Sequence, residues 1–388
     1  MLCRSARRRD LDRGRPVCGS LRGGPRTARS SPLEGCSPRE CVREECTLRG
    51  CTLGRSGFRG LPLGRQLPGP VTTSLPRRLW HYQAERFSLA AYTPLVVASV
   101  VAAVSVSVHA RRVRGDVPTP AWPVPALWAL GGLTVLIFFL GLRILDEHKD
   151  AHIDRQYRPE LPVPRGLVTL AELRWAGLGL LALVVIGHLL LAPVLLLAIL
   201  TVVVWAALMT REFFVPEWLN ARPALYMVSH MVIMPLVLGY ATALDWLVAG
   251  ASPPPSLPGF LLAAFLAGVV IEVGRKIRVP SEEREGVGSY TRDWGLRRAP
   301  LVWLIALAGS AGAGIWALAH TGTGGWGALA LGVALLAAAL PALAFIRSPS
   351  GRARAGVETA SGVWTLALYL VLATGPWVSG WLETRGGA

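Results

Sequence analysis

The stretch LWALGGLTVLIFFLGLRILDEHKDAHIDRQYRP, residues 127–159, decides the fold because it joins a long apolar run to a regular series of acids. Residues 127–145 contain one charged side chain, Arg143, and at about 1.5 Å per residue they reach roughly the 30 Å thickness of a bilayer's hydrocarbon core. Asp146, Asp150 and Asp154 follow at four-residue intervals. Residues four apart lie about 40° from each other around a helix, so these carboxylates are predicted to share one face. The pattern predicts a membrane-spanning helix that ends in an acidic stripe.

The rest of the chain repeats this apolar pattern. Of its 388 residues, 52% are hydrophobic and 16% are charged, whereas soluble domains carry roughly 25% charge. We therefore predict an all-α fold, a polytopic membrane bundle of about nine transmembrane helices. The stretch 175–209 is too long for one crossing and is predicted to fold back near Pro193. The other expected spans are 90–109, 125–145, 224–248, 260–274, 300–319, 326–346 and 361–382.

Residues 1–78 differ in composition from the membrane domain predicted over 79–388. They are rich in Arg, Gly, Pro and Ser, contain all six cysteines and have no apolar segment typical of a signal peptide. Cys36, Cys41, Cys46 and Cys51 recur every five residues, which favours a short repeat in a disordered extension. A metal or redox site is the alternative, although zinc ligands are usually paired at closer spacing.

The basic residues predict the orientation of the bundle. The even-numbered connections between spans carry Lys and Arg, whereas the third, fifth and seventh carry none. This predicts a plasma-membrane protein whose N-terminus and acidic loops face the cytoplasm. Arg111, Arg112 and Arg114 in the first connection are the exception, and Asp245 is expected at the opposite interface. Most of the net charge of +16 lies in residues 1–86, which hold 18 arginines against seven acids, so we predict no nucleic-acid partner.

The acidic stripe has three possible interpretations. Neighbouring carboxylates repel each other, and Lys149, Arg155 and Arg158 could neutralise them as a salt-bridged loop. A divalent cation would do the same, and oxygen-only ligands favour Mg²⁺, which commonly takes further ligands from phosphate. His148 and His152, also four residues apart, offer a weaker alternative as ligands of a transition metal.

A second polar island, EVGRKIRVPSEEREGVGSYTRDWG, covers residues 272–295 and also follows an apolar run. Glu272 and Lys276 lie one helical turn apart, and Glu282 and Glu283 follow a proline, which favours a loop or a new helix start. Both islands are predicted on the same membrane face, where they can converge over one cavity. Polar groups at membrane depth are costly, and we interpret them as functional.

These residues resemble the UbiA superfamily of intramembrane prenyltransferases, which has nine helices and two acidic motifs. Its first motif, Asn-x3-Asp-x3-Asp followed by Arg-Pro, is matched by Asp146, Asp150, Asp154 and Arg158-Pro159, with Asp in place of Asn. The second motif departs from the family, because Lys276 is followed by Ile277 and Arg278 and the acids are glutamates. The chain therefore resembles a variant branch with a degenerate second motif.

The resemblance implies Mg²⁺-dependent transfer of a prenyl group from a prenyl diphosphate to an unidentified acceptor within the lipid membrane. It implies catalytic roles for Asp150, Asp154 and Lys276. The implied metal ligands are Asp146, Asp150, Asp154, Glu282 and Glu283, and the implied diphosphate-binding residues are Arg158, Arg275, Lys276 and Arg278. Two alternatives are a non-catalytic relative that binds an isoprenoid lipid, and a transporter or permease. Transport is disfavoured because the acids cap the helices on one face, whereas transporter sites lie near the midplane.

Overall fold

The computed structural model describes residues 74–116, 124–284, 287–323 and 325–386. The predicted extension, with its cysteine repeat and the alternative metal site, lies outside the described residues except for residues 74–78. Leu75 already begins a helix there.

The described residues contain helices and no strands. The α-helices are α1 (Leu75–Arg86), α2 (Leu89–Val113), α3 (Val124–Lys149), α4 (Ala151–Tyr157), α5 (Leu170–Leu191), α6 (Leu196–Thr210), α7 (Pro216–Asn220), α8 (Pro223–Met231), α9 (Ile233–Trp246), α10 (Leu257–Arg275), α11 (Tyr290–Trp294), α12 (Arg298–Ala319), α13 (Gly325–Arg347) and α14 (Gly351–Gly386). Short 3-10 turns cover Pro193–Leu195, Glu212–Phe214 and Pro280–Glu282.

Nine helical segments in the described part of the chain are long and apolar enough to cross a membrane, which confirms the predicted bundle. The fold-back lies where it was predicted, because α5 ends at Leu191 and Pro193 begins the turn that leads into α6. The ninth span starts earlier than predicted. α14 begins at Gly351, so Arg352 and Arg354 lie on its first turn instead of in the preceding loop.

Small residues allow the central helices to approach closely, as is common in membrane bundles. A Cβ atom added to Gly274 of α10 would lie 2.0 Å from the Ser361 hydroxyl of α14, and one added to Gly259 would lie 2.1 Å from the Trp316 ring of α12. In contrast, α5, α6 and α13 are mostly exposed along their lengths, as expected for helices that face lipid. The packed centre of the bundle therefore includes α10, α12 and α14.

A buried ion pair explains why the first connection departs from the charge pattern. Arg111 Nη1 lies 2.9 Å from Asp245 Oδ1, and both residues are buried. Arg114 pairs with Asp116 and donates to the Pro253 carbonyl at 3.1 Å. Two of the three arginines, Arg111 and Arg114, are thus neutralised by acids that lie beside them in the fold. Asp245, expected at the interface, is 1% exposed because this pair and a hydrogen bond from Ser107 hold it inside.

Candidate functional site

The acidic stripe keeps its helical spacing across the end of α3. The Asp150 amide donates to the Asp146 carbonyl at 2.8 Å, the Asp154 amide to the Asp150 carbonyl at 2.8 Å, and the Arg158 amide to the Asp154 carbonyl at 2.9 Å. Asp150 itself lies between α3 and α4, with φ −90° and ψ 3°. The hydrogen-bond ladder therefore continues through the bend, and these four residues stay in register.

The carboxylates at the two ends of the stripe, Asp146 and Asp154, differ sharply in environment. The Asp146 side chain is 56% exposed and lies 3.6 Å from Arg143, with Asp150 and Arg275 within electrostatic range. Asp154 is 2% exposed and lies 3.4 Å from Arg158 and 3.9 Å from Arg86. Burial raises the pKa of Asp154, while Arg158 and Arg86 oppose that shift. Asp146 is thus accessible to a ligand, whereas Asp154 is held by protein cations.

Arg86 and Glu147 are site neighbours that the sequence interpretation missed. Glu147 is 1% exposed and accepts from Arg86 Nε at 2.6 Å and from Arg143 Nη2 at 3.0 Å. Arg86 comes from α1, so this helix is fastened beneath the stripe and carries the cation that also faces Asp154. The available signal was an apolar-and-basic segment, residues 75–86, directly before the first span.

Lys149 leads into a second cluster on the same end of the bundle. Its ammonium lies 2.5 Å from the Tyr226 hydroxyl and 3.0 Å from Glu212. The Tyr226 ring stacks on His230 with centroids 4.0 Å apart. Glu212 belongs to three consecutive residues, with Phe213 and Phe214, whose φ angles of 47°, 53° and 63° lie in the left-handed region. Such backbone costs roughly 1–2 kcal/mol per residue, and here it brings Glu212 to Lys149.

Several charged side chains of the second island are held by protein partners. The buried carboxylate of Glu272 lies 2.6 Å from Arg275 and 2.7 Å from Lys276. The Glu282 carboxylate lies 2.9 Å from Arg354 of α14, and this contact depends on the early start of that helix. The Glu283 carboxylate accepts from the Ser289 hydroxyl at 2.5 Å.

The acidic stripe with the Arg158 that follows it forms the first polar island, and it meets the second island in a cavity of about 460 Å³. Arg158 from the first island and Arg278 from the second both line it, together with Arg354. The other lining residues are Glu282, Glu283, Arg284, Val287, Gly288, Ser289 and Glu358. No described carboxylate lies within 4.0 Å of the Arg278 guanidinium, so this half-buried cation is available to an anion. The predicted diphosphate residues thus divide into Arg158 and Arg278 at this cavity, and Arg275 and Lys276 on Glu272.

The donor chemistry fits Mg²⁺ through Asp146 and Asp150. In the described residues, no three His, Cys, Asp or Glu side chains gather tightly enough to form a metal site by themselves. Two carboxylates near guanidinium groups, which donate well to phosphate oxygens, suit an ion that keeps water and phosphate ligands. Both ring nitrogens of His148 face backbone carbonyls, Ile144 at 2.9 Å and Leu170 at 3.0 Å, so the histidine alternative receives no support.

Comparison with known proteins gives a result at the level of the fold. No protein-family model matches the sequence, and no curated protein matches it significantly. A structure of digeranylgeranylglyceryl phosphate synthase has a TM-score of 0.55 at 12% identity, covering 77% of this chain and 99% of that chain. The apo structure of a UbiA homolog from Aeropyrum pernix K1 has a TM-score of 0.52 at 17% identity, and the match covers 73% of this chain and 97% of that chain. The chain therefore has the fold of the UbiA-family prenyltransferases to which both structures belong.

Proposed function

We propose that this protein is a prenyltransferase that moves a prenyl group from a prenyl diphosphate to an acceptor within the membrane, with Mg²⁺. The observation that carries the proposal is the meeting of the two charged islands at one end of the bundle. Asp146 has Arg275 within electrostatic range, and Arg158 and Arg278 line one cavity. Carboxylates facing guanidinium groups are what a metal-bound diphosphate requires.

Each predicted residue receives a role from its surroundings. Asp146 and Asp150 would hold Mg²⁺, which stabilises the charge that develops on a leaving diphosphate. Arg158 and Arg278 bind phosphate oxygens, since a guanidinium can donate two parallel hydrogen bonds. Asp154 positions Arg158, which lies 3.4 Å away.

The second island supplies positive charge and rigidity. Arg275 and Lys276 remain 56% and 35% exposed although both contact Glu272, so both can add positive charge, and Arg275 is within electrostatic range of Asp146. Glu282 fixes Arg354, and Glu283 fixes Ser289 at the cavity wall. The predicted metal role of these two glutamates requires them to leave these partners.

The membrane placement follows from the same arrangement. Nine helices long enough to cross a membrane support a prenyl chain within the bilayer, with the charged islands at one surface. We propose the plasma membrane, with the N-terminus and both islands toward the cytoplasm, because the basic connections lie on that side.

The test uses the full chain in detergent with Mg²⁺, a labelled prenyl diphosphate and a panel of aromatic and lipid acceptors. We expect Mg²⁺-dependent release of diphosphate, reduced by about 100-fold or more in Asp146→Ala and Asp150→Ala because charge stabilisation is lost. Glu160→Gln is the matched control, since Glu160 is an exposed acid outside the stripe. It should retain wild-type turnover.

The alternatives give different outcomes in the same preparation. Saturable binding of an isoprenoid lipid without turnover would support the non-catalytic alternative. Substrate counterflow in proteoliposomes would support a transporter. Equal loss of turnover in the two stripe variants and in Glu160→Gln would contradict the assigned site.

A further inference from the structure

An apolar groove lies between α1 and the two spans on which it packs. α1 is fastened to the end of α5 by Arg78, 2.5 Å from Glu172, and to the end of α3 by Arg86, 2.6 Å from Glu147. Between these two ion pairs is a groove of about 450 Å³. Its lining is Pro76, Leu79, Trp80, Tyr82, Gln83, Leu140, Ile144, Leu173, Ala176, Gly179 and Leu180. We call it the α1 groove.

The α1 groove is deep enough to follow one lipid leaflet. Leu140 lies nine residues before the end of α3 at Lys149, and Leu180 lies ten residues after the start of α5 at Leu170. At about 1.5 Å per residue, both positions are roughly 14–15 Å from the charged rim, which is half of a 30 Å hydrocarbon core. The groove therefore runs from the membrane surface toward the midplane, as a single acyl chain does.

One wall of the groove lacks a side chain at Gly179. A Cβ atom added to Gly179 would meet nothing within 4 Å, so the space beside this glycine is empty. Gly177, two residues earlier on the same helix, is instead backed by Ile144 at 3.5 Å. The opening is thus local to Gly179 and can be closed by one substitution.

The rim of the groove is positively charged. α1 carries Arg77, Arg78 and Arg86 against one acid, Glu85, and each of the nearby acids is already paired with an arginine. Arg77 is exposed, and no described carboxylate pairs with it. A basic helix at a membrane surface attracts anionic lipids.

We propose that the α1 groove binds one acyl chain of an anionic phospholipid whose phosphate lies beside Arg77. The site is separate from the proposed prenyl transfer, because its lining contains none of the acidic stripe and none of the cavity arginines. The bound lipid would fill the space under α1 and hold that helix on α3 and α5.

The test is native mass spectrometry of the full chain titrated with phosphatidylglycerol or phosphatidylcholine. We expect one phosphatidylglycerol to stay bound, and Gly179→Leu to weaken it about tenfold by displacing part of the chain. Gly187→Leu is the matched control, because Gly187 lies on the same helix, also has open space around its Cβ position and does not line the groove. It should bind lipid like the wild type, and equal thermal unfolding midpoints show that both variants fold.

The head group is tested separately. Arg77→Gln should reduce the preference for phosphatidylglycerol over phosphatidylcholine toward onefold, because the phosphate loses its cation. Wild-type binding by Gly179→Leu would overturn the site, and equal affinity for the two lipids in the wild type would overturn the head-group assignment. Displacement of the bound lipid by a prenyl diphosphate would show that the groove belongs to the substrate tail.

Discussion

Removing Arg111 should destabilise the bundle more than removing any neighbouring arginine. Its guanidinium lies 2.9 Å from Asp245, and the two residues are 3% and 1% exposed. In Arg111→Met, Asp245 keeps the hydrogen bond from Ser107, 2.7 Å away, and loses the cation that offsets its buried charge. An uncompensated buried charge typically costs about 3–5 kcal/mol.

The reverse substitution should cost less. In Asp245→Asn the amide can still accept from Ser107, and Arg111 retains Asp116, whose carboxylate lies 3.9 Å away. We therefore expect Asp245→Asn to lower the free energy of unfolding by about 2 kcal/mol. Replacing both members with uncharged residues removes both buried charges, and the asparagine still accepts from Ser107, so Arg111→Met combined with Asp245→Asn should fall within about 1 kcal/mol of the wild type. The coupling free energy should then be at least about 3 kcal/mol.

Reversible unfolding in mixed micelles, driven by sodium dodecyl sulfate and followed through the 14 tryptophans, measures these free energies. Arg112→Met is the control, because Arg112 is the adjacent exposed arginine and contacts the Trp377 ring at 5.7 Å. It should cost less than about 1 kcal/mol. Single-variant costs that simply add in the double variant would refute the buried pair as the reason for the exceptional charge in the first connection.

Three further outcomes follow from local geometry. Phe214 is 72% exposed with φ 63°, so Phe214→Gly should raise the unfolding free energy by about 1 kcal/mol in the same micelle assay. Gly274→Ala should lower it by about 1–3 kcal/mol, because the added methyl meets the Ser361 hydroxyl, and unchanged stability would contradict that close approach. Arg165 lowers the pKa of Glu85, so this exposed pair stabilises the protein above the unfolded pKa near 4.5. The free energy of unfolding should therefore decrease by about 0.2–1 kcal/mol as the pH falls through the pKa of Glu85 in the folded protein. Glu85→Gln should abolish this pH dependence.

The number of spans could be predicted from the sequence because each depends on a local property. The length of each apolar run can be read directly from the sequence and compared with the thickness of the bilayer. Pro193 interrupts the one run that is too long for a single crossing. The start of α14 was missed for the same reason. Arg352 and Arg354 are polar and therefore resemble a loop, but Arg354 pairs with Glu358 one turn further along α14 and also with Glu282, 2.9 Å away and 72 residues earlier in the chain. Hydropathy contains no information about such a partner.

The site shows the same division between local and distant causes. Four-residue spacing predicts that the three carboxylates share one helix face. The backbone hydrogen bonds of Asp150 and Asp154 keep the helical spacing that this shared face requires. The spacing does not predict how deeply each carboxylate is buried, because the depth is set by α1, whose Arg86 contacts Glu147 across 61 residues of sequence. Arg86 approaches Asp154 and leaves Asp146 open at the other end of the stripe. Asp146 and Asp154, which are equivalent by spacing, are therefore unequal in the fold, because Asp146 is exposed and Asp154 is buried against arginines.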